Sequence, residues 1–431
     1  FSLYSLMKDC QTEKQRLYFA CYRLHTLIGS AIFSKYIIDK EVDYMEVKTT
    51  LPEIFDEFGE ARQQGFLAVK EMKKNGQPVV GVYCTFMPEE LVLAAGAIQI
   101  SLCSPSDETI PDAEEDLPRN LCPLIKSSYG FGKTDKCPYF YFSDLVVGET
   151  TCDGKKKMYE YMAGFKDLYL MQLPHNRDTV ASKQLWYSEL VAFKEKLEDY
   201  FDVTVTEDAI RQAIHLKNRE RIAKQNFYRL GQLNPPAIAG SEIFKVMYGA
   251  QYKFDKEIIA TLEETTAKVK AQYLAGLRLD DKPRILVTGS PIGGVTEKVI
   301  RAIEENGAIV VAFENCTVAK AVEKLVDETQ PDVYQALTDK YLQIGCACMS
   351  NNQPRKELLS QMIDDYQVDG VIDMVLQNCI PFSVESLQIK RYLQEEKQTP
   401  YMYLETDYST ADVEQINTRV AAFIEMLAVT V

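Results

Sequence analysis

The sequence predicts an α/β protein with two tandem, doubly wound parallel-sheet domains, each of the Rossmann or flavodoxin-like type. Its 431 residues exceed the size at which a single hydrophobic core usually stops growing, which favours two domains. Short apolar runs alternate with amphipathic helical patterns, the rhythm of βαβ units in a parallel sheet. This rhythm occurs twice, on either side of a break at 234–240 that contains two prolines and a glycine.

The first half begins with a helical lead-in, because apolar residues recur at helical spacing before residue 75. The pattern then changes to short apolar runs. We predict a strand at 79–83, a helix at 88–95 and a strand at 97–102. Pro88 suits the first turn of a helix, and Glu89 and Glu90 favour the positive end of its dipole.

Long helical patterns lead into the second half. Helices are predicted at 182–200, 206–230 and 412–427, and strands of the second series at 284–289, 307–313, 370–376 and 400–405. We therefore divide the chain into an N-terminal helical region (1–75), a first α/β domain with long helices (76–240) and a second α/β domain (241–431). Strand ends from the two domains would face a cleft between them, where open α/β sheets hold ligands.

Charge and hydropathy argue against two kinds of partner. The chain carries 63 acidic and 48 basic side chains, a formal net charge of -15, and no long basic block, which disfavours nucleic acid. The most apolar window, 91–102, is too short to span a bilayer and contains Gly96 and Gln99. We expect no nucleic acid partner, no membrane association and a cytoplasmic location.

Six cysteines recur three to each half, and several of them come where a strand pattern ends. They are Cys84, Cys122, Cys152, Cys316, Cys346 and Cys379. Thiols at strand ends indicate a metal centre in the cleft, and a chain with only three histidines favours thiolate-bound iron and sulfide. Structural zinc sites use close cysteine pairs, whereas neighbouring members of this set within each half lie at least 30 residues apart.

The other cysteines allow simpler interpretations. Cys10, Cys21 and Cys103 lie in apolar patterns and are interpreted as small buried hydrophobic residues. Cys348 forms a close pair with Cys346, and Cys137 remains a competitor for a place among the ligands.

Four polar residues are predicted to lie near the metal centre and to act through hydrogen bonds or charge rather than as nucleophiles. They are Ser127, Ser128, Glu149 and His175. His175 is the only histidine in a loop pattern, whereas His25 and His215 lie in helical patterns. A helix cap or a solvated position is the alternative interpretation for each. No catalytic residue beyond the metal centre is predicted.

Three segments resemble the superfamily of 2-hydroxyacyl-CoA dehydratase component D and benzoyl-CoA reductase. They are residues 82–97, residues 120–131 and the Leu-Gln-Asn-Cys that ends at Cys379. In dehydratase subunits of that family, three cysteines at such positions hold one 4Fe-4S cluster. The resemblance implies that Cys84, Cys122 and Cys379 are those ligands here.

Four further segments are similar to a branch of this superfamily, the double-cubane cluster proteins. They are 145–158, 314–316, 344–349 and 405–409. In that branch six cysteines hold two 4Fe-4S cubanes joined by a sulfide, an 8Fe-9S cluster. The second set would be Cys152, Cys316 and either Cys346 or Cys348. Cys346 is preferred because it directly follows the apolar run at 341–345.

The resemblance also implies an activity and partners. A separate ATP-hydrolysing reductase with its own 4Fe-4S cluster would supply low-potential electrons, and a homodimer of this chain would reduce small inert molecules such as acetylene in an anaerobic organism. Two alternatives stay open. One is a single-cluster subunit of a 2-hydroxyacyl-CoA dehydratase or aryl-CoA reductase, and the other is a non-catalytic electron carrier.

Overall fold

The computed structural model describes residues 61–104, 106–254, 257–290 and 293–430, which belong to the unit Pro52–Val431. Within them, eight strands form two parallel sheets. The first contains β1 (Val79–Val82), β2 (Ile98–Ser101), β3 (Leu145–Glu149) and β4 (Leu168–Met171). The second contains β5 (Arg284–Gly289), β6 (Ile309–Glu314), β7 (Gly370–Leu376) and β8 (Tyr401–Thr406).

The two sheets have the same topology. Their strand orders are β2-β1-β3-β4 and β6-β5-β7-β8, so the first strand of each series lies inside its sheet and the second lies at the edge. β1, β3, β5, β6 and β7 are buried along their whole length, as expected for strands covered by helices on both faces. The predicted α/β fold with two parallel sheets is confirmed.

Helices alternate with these strands. In the first half they are α1 (Ala61–Lys74), α2 (Glu89–Ala94), α3 (Ile110–Ala113), α4 (Pro123–Lys133), α5 (Pro138–Phe142), α6 (Asp153–Met162), α7 (Val180–Phe201) and α8 (Glu207–Tyr228). The hydroxyls of Thr179 and Thr206 accept backbone hydrogen bonds at the starts of α7 and α8. Such capping satisfies donors that a helix leaves unpaired and explains why the two long helices begin there.

The second half has the same alternation. Its helices are α9 (Gly240–Gly249), α10 (Glu257–Leu274), α11 (Gly294–Glu305), α12 (Ala319–Val322), α13 (Val333–Tyr341), α14 (Gln353–Asp365), α15 (Ile380–Arg391) and α16 (Val413–Thr430). Short 3-10 turns at Arg229–Gln232 and Ala250–Tyr252 follow α8 and α9, and a π-helical turn at Tyr392–Glu396 follows α15.

One hydrophobic core joins parts of both halves. Val80 of β1, Leu91 of α2 and Trp186 of α7 belong to the same buried cluster as Leu337 of α13 and Ile344. The segment that leads to Cys346 therefore packs against the first sheet, although it follows β6 in the chain. The predicted domain boundary at residue 240 stays a prediction.

Part of the helical lead-in lies outside the described residues, as do Cys10, Cys21 and His25. Across the described part of the chain, every helix is too short or too polar to cross a bilayer.

Candidate metal centre

The six cysteines singled out from the sequence line one cavity of about 860 Å³. Four follow the carboxyl ends of strands, because Cys84 comes after β1, Cys152 after β3, Cys316 after β6 and Cys379 after β7. The other two come from connections between helices, since Cys122 directly precedes α4 and Cys346 lies between α13 and α14. The fold thus brings thiols from both sheets to one place.

Two further thiols line the same cavity, Cys348 and Cys103. Cys348 is the predicted alternative to Cys346, whereas Cys103 was predicted to be a small buried hydrophobic residue. The thiol of Cys103 instead lies at the cavity wall. Its Sγ donates a hydrogen bond to the carbonyl of Tyr83 at 3.2 Å. The pattern of residues 97–102 is apolar because β2 is partly buried there, and that pattern does not show what lies beyond its last residue.

Cys137 does not line the cavity. Its sulfur instead accepts a hydrogen bond from the backbone N–H of Phe140 at the start of α5, at 3.4 Å. This position gives the thiol a structural role as a helix cap.

Three of the thiols lie at helix N-termini. Cys122, Cys152 and Cys379 directly precede α4, α6 and α15. The free N–H groups and the dipole of a helix N-terminus stabilise negative charge, so these positions favour thiolates and an anionic group bound to them.

The thiols of the cavity interact with one another in pairs. The pKa of Cys122 lies below its usual value, chiefly because Cys379 donates a hydrogen bond to its sulfur, while burial acts in the opposite direction. Cys348 likewise donates a hydrogen bond to the sulfur of Cys346. This bond lowers the pKa of Cys346 to about 6, although burial acts in the opposite direction.

Burial dominates at the remaining predicted ligands. It raises the pKa of Cys84 well above its usual value and that of Cys316 to about 12, and it also raises the pKa of Cys152. Metal ligation requires deprotonated thiols, so cations near the cavity matter. Lys155 opposes the shift at Cys84, and Lys320 opposes it at Cys316.

Both lysines are held by polar contacts. Lys155 Nζ donates to the carbonyl of Tyr83 at 2.8 Å. Lys320 Nζ lies 3.1 Å from Oε1 of Glu314, and both of these side chains are buried. Lys155 lines the cavity, although it was not among the residues predicted to lie near the metal centre.

Glu149 lies near the thiols, and its carboxylate raises the pKa of Cys84. Oε1 accepts from the backbone N–H of Met87 at 2.8 Å, whereas Oε2 is buried without a hydrogen-bond partner among the described residues. Burial raises the pKa of Glu149 to about 7.

None of the four polar residues predicted near the centre lines the cavity, and Ser127, Ser128 and His175 have contacts elsewhere. Ser127 donates from Oγ to the carbonyl of Ser106, and Ser128 accepts from the N–H of Ser104 at 3.4 Å, so both brace a loop. His175 is exposed, and its carbonyl accepts from the N–H of Ser350. Its neighbours Leu173 and Arg177 are buried, whereas the side chain of His175 is exposed and does not line the cavity.

The donor set fits a thiolate-bound centre larger than a single ion. The eight cavity cysteines are free thiols, and the described part of the cavity wall contains no histidine. No three His, Cys, Asp or Glu side chains in the described ranges are close enough to hold a single metal ion. Thiolates spread around a wide cavity instead suit a polynuclear iron–sulfur group.

Comparisons with known proteins point in the same direction. The family model for the 2-hydroxyglutaryl-CoA dehydratase D-component matches residues 84–427. The chain is 63% identical to an Escherichia coli (strain K12) protein provisionally named dehydratase subunit YjiM, over 89% of this chain and 100% of the relative.

More distant relatives have more specific names. The chain is 23% identical to the (R)-phenyllactyl-CoA dehydratase beta subunit of Clostridium sporogenes, over 83% of this chain and 94% of the relative. It is also 23% identical to one of the benzoyl-CoA reductase subunits of Thauera aromatica, over 84% of this chain and 92% of the relative.

Proposed function

Because the chain belongs to the 2-hydroxyglutaryl-CoA dehydratase D-component family, we propose that it is the iron–sulfur component of a low-potential reductase and carries an 8Fe-9S double-cubane cluster. Its relatives include dehydratase and reductase subunits, which supports a lyase or oxidoreductase reaction. When bound, such a cluster supplies single electrons at low potential. The protein supplies the ligands, the cavity and the surrounding charges.

The observation that carries the proposal is the position of the two predicted sets of ligands around one cavity. The first set is Cys84, Cys122 and Cys379, and the second is Cys152, Cys316 and Cys346. Members of different sets are neighbours: Cys316 and Cys346 raise the pKa of Cys84, and Cys379 raises that of Cys152. Interleaved ligands favour one joined group over two separate clusters.

The chain's own residues prepare the cavity for an anionic group. Helix N-termini at Cys122, Cys152 and Cys379 favour negative charge. Lys155 and Lys320 place positive charge near the thiols. Cys84 and Cys346 pack against a hydrophobic cluster that includes Phe86 and Tyr341, and such an apolar environment strengthens these electrostatic interactions.

Iron and sulfide analysis of anaerobically purified protein tests the proposal. We expect about eight irons per chain, and about four after Cys152→Ser or Cys316→Ser. Cys137→Ser is the matched control, because this thiol lies outside the cavity, and should keep the full iron content. About four irons in the natural protein, unchanged by Cys152→Ser and Cys316→Ser, would contradict a double cubane.

A second candidate is a single-cluster subunit of a 2-hydroxyacyl-CoA dehydratase or aryl-CoA reductase, which the names of the distant relatives favour. It predicts tight binding of an acyl-CoA and a partner subunit of the same family. Isothermal titration that finds no acyl-CoA affinity would exclude it.

The proposal includes two protein partners, as in the branch that the chain resembles. A separate ATP-hydrolysing reductase with a 4Fe-4S cluster would deliver the electrons, and a second copy of this chain would form a homodimer. Reduction of the cluster by that reductase without turnover of any substrate would instead indicate an electron carrier.

A further inference from the structure

One wall of the cavity is lined by charged side chains instead of thiols. Helix α8 contributes Lys217, Glu220, Arg221 and Lys224, helix α2 contributes Glu89, and helix α13 contributes Lys340. Glu90 lies behind this wall and is fully buried. These seven residues, including Glu90, form a charged wall of four cations and three carboxylates.

Three of the four cations are paired with carboxylates. Lys217 lies 2.8 Å from Glu89 and 2.6 Å from Glu220, and Lys224 lies 2.5 Å from Glu220. Arg221 contacts Glu89 at 2.6 Å and Glu90 at 2.7 Å. The charges of these six side chains cancel, so they need no further ion.

Lys340 is the fourth cation, and it has no such partner. The residue is only 5% exposed, yet Nζ forms no hydrogen bond or ion pair with any residue that the structure describes. Nζ lies 3.6 Å from the centre of the Tyr341 ring. The ring face and the C-terminal end of α13 favour a cation there, but neither replaces a counter-ion.

A buried ammonium group without a counter-ion is costly. Burial, followed by the charge of Arg221, lowers the pKa of Lys340 to about 7; Glu90 and Glu89 oppose this shift, and Lys217 supports it. An anion that enters the cavity would restore the charge balance.

We propose that Lys340 binds the carboxylate of a small organic acid that occupies the cavity. Charge balance selects the class of anion, because a single negative charge makes the charged wall with its ligand neutral. A phosphate dianion would leave it negative, beside three carboxylates. A monocarboxylate carries the single negative charge that this balance requires.

The position of Lys340 also assigns this ligand a role. Lys340 lies in the same cavity as the thiols, and its helix, α13, leads within six residues to Cys346. The hydroxyl of Tyr341 donates to Glu90 at 2.7 Å and accepts from the N–H of Glu89 at 3.2 Å, which fixes this end of α13 against α2. A small acid held by Lys340 is then the substrate, an assignment that rests on the proposed function.

Isothermal titration of the anaerobically purified full chain tests the binding site. Unbranched monocarboxylates from acetate to valerate are the probes, and propionamide is the neutral counterpart of propionate. We expect at least one acid to bind, and propionate to bind at least tenfold more tightly than propionamide, since a charge-assisted hydrogen bond contributes about 1.5–3 kcal/mol. Binding of none of the acids, equal affinity for propionate and propionamide, or tighter binding of inorganic phosphate would overturn the proposal.

Variants separate the role of Lys340 from general effects. Lys340→Met should weaken binding of the acid at least tenfold, whereas Lys340→Arg, which keeps the charge, should restore most of it. Lys183→Met, on the exposed face of α7, is the control and should bind like the natural protein. Unchanged affinity in Lys340→Met, in a protein with unchanged circular dichroism, would overturn the proposal.

The iron content of the same samples distinguishes a failure of the monocarboxylate site from a failure of the proposed function. Lys340→Met should retain the full iron count, because Lys340 is not a ligand. A low iron count in the natural protein would overturn the double cubane, whereas the binding titrations alone decide the monocarboxylate site.

Discussion

The guanidinium of Arg355 donates to the carboxylate of Glu314, with 3.2 Å between Nε and Oε2, and both side chains are fully buried. Glu314 ends β6, two residues before Cys316, and also pairs with Lys320. Arg355 also forms an ion pair with Glu385, and its Nη2 lies 3.7 Å from Oδ1 of Asp373. One arginine on α14 thus joins the end of β6 and the middle of β7 to α15.

We expect Arg355→Met to destabilise the protein by about 3–5 kcal/mol, because it leaves buried carboxylates without their counter-charge. Urea unfolding of the anaerobic protein, followed by circular dichroism, measures this change. Lys183→Met, an exposed cation removed in the same way, should shift the midpoint little. An equally small shift of the unfolding midpoint for Arg355→Met would contradict this, because it would mean that water or rearranged side chains stabilise the buried carboxylates in place of the arginine.

Cys346 and Cys348 can be distinguished by their iron content. We expect Cys346→Ser to lose about half of the iron, since it removes a proposed ligand of one cubane. Cys348→Ser should keep nearly all of it, because this thiol serves as a hydrogen-bond donor to Cys346. The opposite pattern would make Cys348 the ligand.

The backbone at Cys346 depends on a close approach. A Cβ added at Gly345 would lie 2.8 Å from both N and Cα of Arg355. We therefore expect Gly345→Ala to displace Cys346, to cost about 1–3 kcal/mol in stability and to lower the iron count. At the exposed Gly164, a Cβ would meet one atom at 3.2 Å, so Gly164→Ala should leave the iron count unchanged.

Lys340 should make stability depend on pH. Its pKa is about 7 in the folded protein, because burial and Arg221 oppose its charge more than Glu90 and Glu89 favour it, whereas an unfolded lysine titrates at about 10.4. Between these values the unfolded chain binds more protons, so this group adds stability as pH rises above 7. Below pH 7 the protonated, buried Lys340 lowers the free energy of unfolding by its full amount.

Urea unfolding at several pH values between 6 and 9, without added acid, measures this effect. The free energy of unfolding of the natural protein relative to Lys340→Met should rise steadily from pH 7 to 9. A difference that stays constant over this range would show that Lys340 keeps its ordinary pKa in the folded protein.

Local patterns predicted most of the fold. The strands at 284–289 and 370–376 match β5 and β7 residue for residue, because buried parallel strands are short, continuous apolar runs bounded by polar residues. The cysteines that follow β1 and β3 could be expected to lie at one edge, as could those that follow β6 and β7, since the parallel strands of one sheet end at the same edge.

Other site residues could not be recognised in this way. Cys103 and Lys340 reach the cavity only because distant segments pack together, and Lys340 lies in an amphipathic helix where a lysine normally faces water. His175 shows the reverse case, because it was predicted to lie near the metal centre although its side chain is exposed, and the local sequence does not indicate which way a loop side chain points. Charge balance across α2, α8 and α13 is a tertiary property.

The contact between Cys122 and Cys379 has a consequence for assembly. These residues begin helices of different halves, so a group bound to both would cross-link segments more than 250 residues apart. Such a link shortens the loops available to the unfolded chain and so opposes unfolding. Loss of such a group would remove this link, and the two halves would then be held together by the hydrophobic core that they share.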